Sequence, residues 1–320
     1  MKIHFLSHPT AFSLPGGGEV QLIETMKSLS RLGHECVLLD IYDSKEWASI
    51  NLLHLFSVCN GMEIYARWAL NNNIPYVVSP ILWAEDYPKD EFDRVRFILL
   101  NSKAILPNSF AEMERIVHYL HIDNNNKFHI IHNGFDVNSF LNHSRQSELV
   151  CPRTLVSVAN IDKRKNLINL AMAVRRTSSK LIVAGGIRDY TIYNYLVDNF
   201  SDCVSLIGPI TNSSSDHFNL LDKANIFALI SLYETPGIAA LEAGAAGVPL
   251  LLTSVGATKE YFNSFAYYVD PLSVDDIVLN INSIYSRNIF SIDAESRSHF
   301  SKFSWESAAI QTQHAYKFIL

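Results

Sequence analysis

Short runs of apolar residues alternate along the chain with segments in which apolar residues recur at helical spacing. The first run, at 2–7, is followed by a glycine-rich loop and by a helical pattern that begins near Glu19 and ends at Gly33. Strands that alternate with helices in this way are typical of βαβ units and parallel sheets. The runs predicted as strands are 2–7, 36–40, 51–56, 75–79, 104–107 and 129–132 in the first half, and 154–159, 180–185, 204–208, 226–230, 249–253 and 266–270 in the second.

Because the second half repeats the plan of the first, we expect two similar α/β domains of the nucleotide-binding fold rather than a solenoid. The polar, weakly periodic stretch at 139–153 is the expected linker. The expected domains are 1–148 and 149–303, with 304–320 as a last helix that crosses back to the N-terminal domain. A cleft between the domains is the expected ligand site.

Composition agrees with this plan and excludes several classes of protein. The 320 residues are about twice the ~150 of one average domain, and 48% hydrophobic against 18% charged residues exclude disorder through excess charge. A net charge of −6 argues against nucleic acid as the main partner, because binding phosphates requires a basic face. The chain shows no signal peptide, no run near the ~18 residues of a membrane span, and only scattered cysteines, so we expect a reduced, cytoplasmic protein. The cysteines are Cys36, Cys59, Cys151 and Cys203.

The segment 231–253 carries the most information about chemistry. Thr235 suits a helix N-cap and Pro236 a first helical position, which predicts a helix with Glu234 just before it and Glu242 about two turns inside it. The N–H groups at such a helix start can bind phosphate, and carboxylates on either side can accept hydrogen bonds from hydroxyl groups. A sugar, a diphosphate and a ribose fit that order. The alternative is an ordinary helix with an incidental acid in front of it and an exposed glutamate within it.

This segment, ETPGIAALE followed by AGAAGVPLLLT, resembles the retaining glycosyltransferases of family 4, which have the two-domain GT-B architecture. Further short motifs match that family in the expected order over nearly the whole chain. The resemblance implies two Rossmann-like α/β domains that face each other across a cleft, the first for an acceptor and the second for a donor. The further motifs are LPGGGE (14–19), RLGHECVLL (31–39), IIHNGFDVNSF (130–140), LVSVANIDKRKN (155–166) and FSWESAA (303–309).

The resemblance also implies roles for single residues. Glu242 would bind the ribose hydroxyls of a nucleotide sugar, and Glu234 would contact the transferred hexose. Lys165 and Arg164 would contact the diphosphate, where cations suit the negative charge that grows on the leaving phosphate. For both cations the alternative is a solvated turn. Glu234, Lys165 and Arg164 are the expected catalytic group, and the remaining expected donor contacts are Gly17, Asn160, Gly208, Pro209, Ile210, Thr235, Pro236, Gly237 and Ile238.

The chain departs from the family pattern at three positions. Pro236 replaces a residue that commonly supplies an N–H, which removes one hydrogen-bond donor near the sugar. Asn160 stands where the family often has an arginine, and Ile81 stands where many members carry a histidine on the acceptor side. Other polar groups must then meet the acceptor, and an aromatic platform could assist them. The candidates are His8, Glu19, Glu85, Asp86 and the platform Trp83, each of which could instead be an ordinary loop or core residue.

The expected function is that of a retaining hexosyltransferase acting on a nucleoside diphosphate sugar and a glycan or lipid-linked acceptor. The alternatives are a catalytically silent sugar-nucleotide-binding partner subunit and, among enzymes, a nucleotide-sugar epimerase. No metal or other cofactor is expected, since the chain has no DxD triplet and its spaced histidine pairs lack acidic or cysteine partners. The basic and apolar stretch at 94–100 suggests peripheral contact with the inner face of the membrane, with an internal helix as the alternative.

Overall fold

The computed structural model describes residues 1–13, 15–43, 47–59, 61–83, 88–122, 125–143, 153–289 and 291–318. The chain divides into two compact units, of which unit 1 contains Met1–Gly134 and Phe303–Leu320, and unit 2 contains Phe135–Lys302. Each unit is built on one parallel β-sheet whose strands are connected through helices, which confirms the predicted fold class. Of the expected linker, 144–152 lie outside the described residues.

Unit 1 contains a five-stranded sheet in the order β2-β1-β3-β4-β5, with all neighbouring strands parallel. Strands β3 and β4 are buried along their whole length, which explains why they read as continuous apolar runs rather than as alternating ones. The strands are β1 (Lys2–Ser7), β2 (Glu35–Leu38), β3 (Leu53–Phe56), β4 (Tyr76–Ser79) and β5 (Ala104–Ile105). The helices are α1 (Gly17–Arg31), α2 (Met62–Asn71), α3 (Phe92–Asn101) and α4 (Phe110–Leu120), joined later in the chain by α13 (Trp305–Lys317).

The prediction of a strand at 129–132 in this unit is wrong. Residues 129–132 form no strand, although the N–H groups of His129 and Ile131 still donate to the carbonyl oxygens of Ile105 and Pro107. Phe128, just before this segment, forms an isolated bridge with Ile105 of β5. The segment therefore runs along the edge of the sheet and makes two hydrogen bonds to it without forming a regular strand.

The last helix, α13, packs against α1 within unit 1. Its Tyr316 is fully buried, and the Tyr316 hydroxyl lies 2.7 Å from Nδ1 of His54 on β3. The other ring nitrogen of His54 lies 2.9 Å from the hydroxyl of Ser79 on β4. Burial lowers the pKa of His54 to about 3, so this histidine is a neutral link that joins α13 to the sheet.

Unit 2 contains a six-stranded parallel sheet in the order β11-β10-β9-β6-β7-β8. The strands are β6 (Thr154–Val158), β7 (Lys180–Ala184), β8 (Val204–Leu206), β9 (Ile226–Leu229), β10 (Leu250–Thr253) and β11 (Tyr267–Val269). The helices are α5 (Val137–Leu141), α6 (Leu167–Arg176), α7 (Tyr190–Phe200), α8 (Ser215–Asp222), α9 (Ile238–Ala245), α10 (Thr258–Phe262), α11 (Val274–Ser286) and α12 (Ala294–Phe300).

The strand order of unit 2 creates a switch point between β6 and β9. From β6 the chain proceeds outward to β7 and β8 on one side, and it then returns to place β9 on the other side of β6. Open α/β sheets leave a crevice at the carboxyl ends of the strands where the order reverses, and ligands commonly bind there. The loops that follow β6 and β9 therefore border the crevice of this sheet.

Candidate functional site

Two cations and one carboxylate meet at the carboxyl ends of β6 and β9. Nζ of Lys165 lies 2.7 Å from Oε2 of Glu234, and Nη1 of Arg164 lies 3.3 Å from Oε1. The turn at 163–165 is capped by Asp162, whose side chain accepts a hydrogen bond from the Lys165 N–H at 3.0 Å. The carbonyl oxygen of Arg164 accepts from the N–H of Leu232, which ties this turn to the segment after β9. The three residues predicted as catalytic are thus brought together.

The carboxylate of Glu234 is buried but remains charged. Its side chain is 6% exposed and also accepts a hydrogen bond from the Ser231 hydroxyl at 2.8 Å. Burial alone would raise the pKa of Glu234, but the charges of Lys165 and Arg164 outweigh it and lower that pKa to about 2. Two cations share this single buried carboxylate, and the negative charge of Asp162 also acts on both of them.

The surroundings shift the pKa values of the two cations in opposite directions. Burial lowers the pKa of Lys165, and the neighbouring charge of Arg164 adds to this, while Glu234 opposes it. Burial also disfavours the charge of Arg164, but Glu234 and Asp162 raise its pKa overall. Both cations are therefore partly stripped of water and held in place, which suits groups that meet an anion without first reorganising.

Two glycines allow the backbone around Glu234 to adopt its path. Gly237 has φ +87°, and a Cβ there would lie 2.6 Å from Cδ2 of Leu229. Gly256, in the loop after β10, has φ +104°, and a Cβ there would lie 2.2 Å from the carbonyl oxygen of Glu234. That carbonyl accepts from the N–H of Ala257 at 2.9 Å, so the loop after β10 holds the glutamate from behind.

The helix after Glu234 begins later than predicted. Gly237 is the N-cap and Ile238 the first residue of α9, so the assignment of Thr235 as N-cap and Pro236 as first helical residue is wrong. The left-handed backbone of Gly237 turns the chain before the helix begins, and Thr235 and Pro236 belong to the loop that leads into it. The first N–H groups of a helix have no partner within it, so the anion-binding end of α9 lies at Gly237 and Ile238.

The second glutamate, Glu242, has different surroundings. It is 3% exposed, and Oε1 accepts a hydrogen bond from Nδ2 of Asn212 at 2.7 Å. Burial raises its pKa to about 8, the Asn212 hydrogen bond opposes that shift, and the negative charge of Asp136 adds to it. Glu242 is therefore largely protonated at neutral pH, which makes it a donor as well as an acceptor of hydrogen bonds.

The other donor positions predicted in this unit lie in the loops after β6 and β8, and both loops bond to glycines of the loop after β7. Oδ1 of Asn160 accepts from the N–H of Gly186 at 2.9 Å, and the N–H of Gly185 donates to the carbonyl oxygen of Gly208 at 2.8 Å. The side chain of Asn160 thus joins the loop after β6 to the loop after β7. Gly208 has φ +76° and open space where a Cβ would stand, and Pro209 and Ile210 continue the same loop.

In unit 1, the structure brings together two predicted acceptor residues, His8 and Glu19. They lie at the carboxyl end of β1 and in the first turn of α1, with Nε2 of His8 at 4.0 Å from Oε1 of Glu19. The other carboxylate oxygen of Glu19 accepts from the Gly16 N–H at 2.6 Å. Gly17 begins α1, and a Cβ there would meet nothing within 4 Å.

The remaining acceptor candidates lie on the loop after β4. The guanidinium of Arg115 stacks on the ring of Trp83, 3.8 Å from its centroid, and Ile81 has φ +50°. A Cβ on Gly18 would lie 3.4 Å from Cδ1 of Ile81, so the isoleucine that replaces the family histidine stands against the start of α1. Glu85 and Asp86 lie outside the described residues.

Sequence reasoning missed three residues that shape the site. Ser231 bonds to Glu234, Asn212 bonds to Glu242, and His217 bonds to Asn212. The position of Ser231 at the end of β9, three residues before Glu234, could have indicated its role. Asn212 and His217 lie in a polar loop and a short helix whose sequence carries no comparable signal.

Among the residues that the structure describes, no three or more His, Cys, Asp or Glu side chains are grouped so that they could hold a metal ion. No helix in the described ranges combines the length and the apolar character that crossing a membrane requires.

Residues 141–304 match the family model described as "Glycosyl transferases group 1". Over 151 residues the chain is 27% identical to an uncharacterized glycosyltransferase of Methanocaldococcus jannaschii, covering 45% of this chain and 38% of that protein. Over 295 residues it is 23% identical to the D-inositol 3-phosphate glycosyltransferase of Mycolicibacterium smegmatis, covering 85% of this chain and 65% of that protein. The chain thus spans less than two thirds of the length of either relative.

Solved structures resemble the whole chain. HepE of Anabaena, solved in complex with UDP-glucose, superimposes with a TM-score of 0.83 at 15% identity, covering 99% of this chain and 100% of that one. The sucrose-phosphate synthase of Thermosynechococcus elongatus superimposes with a TM-score of 0.82 at 16% identity, covering 99% and 98%. At these identities the likeness shows a shared fold.

Proposed function

The chain belongs to the group 1 glycosyl transferases, and we propose that it is a retaining enzyme that transfers a hexose from a nucleoside diphosphate sugar to a hydroxyl group. The acceptor would be a glycan or a lipid-linked saccharide. The observation that carries the proposal is the pairing of Lys165 and Arg164 on one buried carboxylate at the switch point of unit 2.

A diphosphate suits this site for electrostatic reasons. Lys165 and Arg164 bring two positive charges together beside one buried carboxylate, and Arg164 is partly exposed, so both can meet an anion. The start of α9 adds N–H groups and the positive end of a helix dipole. That HepE was solved with UDP-glucose supports the choice of a nucleotide sugar as donor.

The sugar and the ribose would then lie on either side of the diphosphate. Glu234 precedes α9 and would contact the hexose, while Glu242 lies within the helix and would contact the ribose hydroxyls. A largely protonated Glu242 suits hydroxyl groups, because it can donate one hydrogen bond and accept others. Gly208, Pro209 and Ile210 would meet the nucleobase through their backbone.

The proposed transfer uses no protein nucleophile. The bond between the anomeric carbon of the hexose and the phosphate oxygen breaks, and its electron pair stays on that oxygen. The acceptor oxygen bonds to the anomeric carbon from the same face, and its proton passes to the departing phosphate oxygen. The products are the glycoside, with its configuration retained, and the nucleoside diphosphate, whose growing charge Lys165 and Arg164 stabilise.

This scheme assigns no role to a metal ion. The charge of the diphosphate would be met by the two cations and by the start of α9, so we expect transfer to continue after treatment with a chelator. Loss of activity in EDTA that added Mg²⁺ or Mn²⁺ restores would contradict this part of the proposal.

The acceptor would be bound by unit 1, with the neighbouring side chains of His8 and Glu19 as polar contacts and Trp83 as a platform. We further propose a cytoplasmic enzyme that contacts the inner face of a membrane through α3. That helix buries Val95, Ile98 and Leu99 on one face and leaves Leu100 43% exposed. Sedimentation with anionic vesicles at low salt tests this contact, and its absence would contradict it.

The central test uses two lysines of the same turn. Lys165 bonds to Glu234, whereas Lys163 is exposed two residues earlier. We expect Lys165→Ala to lower donor kcat/KM about 100-fold, the usual effect of removing one group that stabilises developing charge, and Lys163→Ala to change it less than about twofold. The assay follows nucleoside diphosphate release from a panel of nucleotide sugars, with and without saccharide acceptors.

Equal kinetics of the two variants would refute the assigned role of Lys165. Tight nucleotide-sugar binding without release under any acceptor condition would instead indicate a silent binding subunit. The anomeric configuration of the product, read by NMR, tests retention separately, and an inverted product would overturn the same-face step.

A further inference from the structure

Asn212 lies between Glu242 and a buried histidine. It follows β8 in the same loop as Gly208–Ile210, six residues after the strand ends at Leu206. Nδ2 of Asn212 donates to Oε1 of Glu242 at 2.7 Å, and Oδ1 lies 3.0 Å from Nδ1 of His217 on α8. The asparagine is itself exposed, although both of its side-chain partners are buried.

The orientation of this amide is fixed by a backbone group. The N–H of Ser213 donates to Oδ1 of Asn212 at 3.0 Å, and a backbone N–H can only donate. Oδ1 must therefore face Ser213 and His217, which leaves Nδ2 to face Glu242. Nδ1 of His217 faces Oδ1 of Asn212, and an amide oxygen can only accept. Nδ1 therefore carries the ring proton and donates to Oδ1, which then accepts two hydrogen bonds.

Within the described ranges, the ring of His217 makes its one hydrogen bond to Asn212. It is 1% exposed and lies against the rings of Phe140 and Phe218, with centroids 5.3 Å and 6.4 Å away. Nε2 is buried with no hydrogen-bond partner among the described residues. Burial lowers the pKa of His217 to about 4, so the ring is neutral near pH 7 and supplies one donor, to Asn212.

Glu242 has no salt bridge to a cation in the described part of the chain, in contrast to Glu234. The hydrogen bond from Asn212 engages one of its two carboxyl oxygens and restricts how the group can turn. Among the described residues the other oxygen, Oε2, accepts no hydrogen bond, so it remains for a ligand. Glu242 is thus held through one oxygen beside the loop that would meet the base. The ribose of a nucleotide lies between base and phosphate, so this carboxyl group is placed to recognise the ribose hydroxyls.

We propose that Asn212, held by His217, is a positioning residue that fixes Glu242 for recognition of ribose and so sets the preference for a ribonucleotide over a 2′-deoxyribonucleotide. This inference rests on the proposed function, in which Glu242 binds the ribose. Asn212 acts through Glu242 in this account, and it contributes to selectivity for the sugar of the nucleotide rather than to the transfer step.

The test measures binding of paired nucleotides by calorimetry. The probes are UDP, GDP and ADP with their 2′-deoxy counterparts, and the pair that wild type binds is followed in the variants. We expect wild type to prefer the ribonucleotide about tenfold, the value of one hydrogen bond to a fixed buried group. In Asn212→Ala we expect a preference below about twofold through weaker binding of the ribonucleotide alone, with the deoxynucleotide affinity unchanged.

His217→Phe keeps an aromatic ring but removes the donor, so it should reduce the preference in the same direction. The matched control is Asn199→Ala on α7, since Nδ2 of Asn199 bonds only to a carbonyl of its own helix. Thermal unfolding checks that each variant is folded.

The outcomes separate this inference from the proposed function. A ribonucleotide preference that Asn212→Ala retains, or an equal loss of affinity for both nucleotides, overturns the role of Asn212 and leaves the proposed function intact. A wild type that binds no nucleotide, or binds both members of every pair equally, overturns the assignment of Glu242 together with the inference.

Discussion

Replacing Glu242 with glutamine tests the most unusual electrostatic feature of the site. The side chain is buried, and burial raises its pKa from an ordinary 4.5 to about 8, with the charge of Asp136 adding to the shift. Glutamine keeps the size and the oxygen that accepts from Asn212, but it cannot titrate. Glu242→Gln should therefore preserve the packing of α9 and remove one pH-dependent contribution to stability.

The sign and size of that contribution follow from proton linkage. Between pH 4.5 and about 8 the folded state holds a proton on Glu242 that the unfolded chain releases. The resulting stability is fully present below pH 4.5 and is lost as the pH rises through 8. From pH 5.5 to 8.5 the free energy of unfolding of wild type should fall by about 3 kcal/mol relative to Glu242→Gln.

Other groups of the site do not mask this effect. The pKa of Glu234 is lowered to about 2, so its contribution is present above pH 4.5 and lost only in stronger acid. The pKa of His217 is lowered to about 4, so its contribution arises above about pH 6.5 and is lost on acidification toward 4. Both contributions are common to wild type and Glu242→Gln, and they cancel in the difference.

The assay is urea unfolding followed by far-UV circular dichroism at pH 5.5, 7 and 8.5. Tryptophan fluorescence is unsuitable for unit 2, because all four tryptophans, at 47, 68, 83 and 305, belong to unit 1. Glu295→Gln changes an exposed glutamate of the same unit and serves as the control. Parallel stability curves for wild type and Glu242→Gln across this range would refute a protonated carboxyl at this position.

Two further substitutions test how the fold supports the site. Tyr316→Phe removes the hydroxyl that lies 2.7 Å from Nδ1 of His54, so unit 1 should lose about 1–3 kcal/mol in urea unfolding followed by tryptophan fluorescence; unchanged stability would show that this link does not hold α13. Gly256→Ala places a Cβ 2.2 Å from the carbonyl oxygen of Glu234, so donor kcat/KM should fall at least about tenfold. Wild-type kinetics of Gly256→Ala would argue against a fixed position for Glu234. Gly17→Ala is the control for fold, because a Cβ there meets nothing within 4 Å and the melting temperature should stay unchanged.

The architecture was largely predictable because parallel strands buried on both faces read as continuous apolar runs. Strands β3, β4, β9 and β10 have this character, and the predictions match them within two residues at each end. The run at 129–132 looks the same in sequence but forms no strand, since apolar composition does not distinguish a ladder from a segment with two edge hydrogen bonds.

The start of α9 was placed two residues too early for a different reason. Thr235 and Pro236 are favourable for a helix start, but the chain first passes through a left-handed turn at Gly237, which carries no side-chain signal. Local preference for a cap was overridden by the close packing of Gly237 on Leu229. The error changes which N–H groups face an anion, and it leaves the order of the site residues intact.

The contact between Lys165 and Glu234 joins residues 69 positions apart, and it follows from topology rather than from local pattern. Once β6 and β9 are neighbours in the sheet, the loops at their carboxyl ends must meet. Asn212 could not be inferred in this way, because its contact with Glu242 depends on the course of an irregular loop.

The two glutamates show what sequence could not decide. Both were assigned as hydroxyl-binding groups from their spacing and from the family they resemble, and nothing local distinguishes them. The structure gives Glu234 two cations and a serine hydroxyl, so it stays ionised and holds Lys165 and Arg164 in place. Glu242 lies buried with no salt bridge among the described residues; burial raises its pKa to about 8, the Asn212 hydrogen bond opposes this and the charge of Asp136 adds to it, so Glu242 holds a proton at neutral pH. In the proposed function, an ionised Glu234 would keep the two cations fixed beside the diphosphate, whereas a neutral Glu242 inside the helix would avoid repelling it. The opposite pKa shifts of Glu234 and Glu242 therefore suit two positions at different distances from the proposed leaving group. Exchanging the surroundings of the two carboxyl groups would weaken the proposed donor binding at both positions.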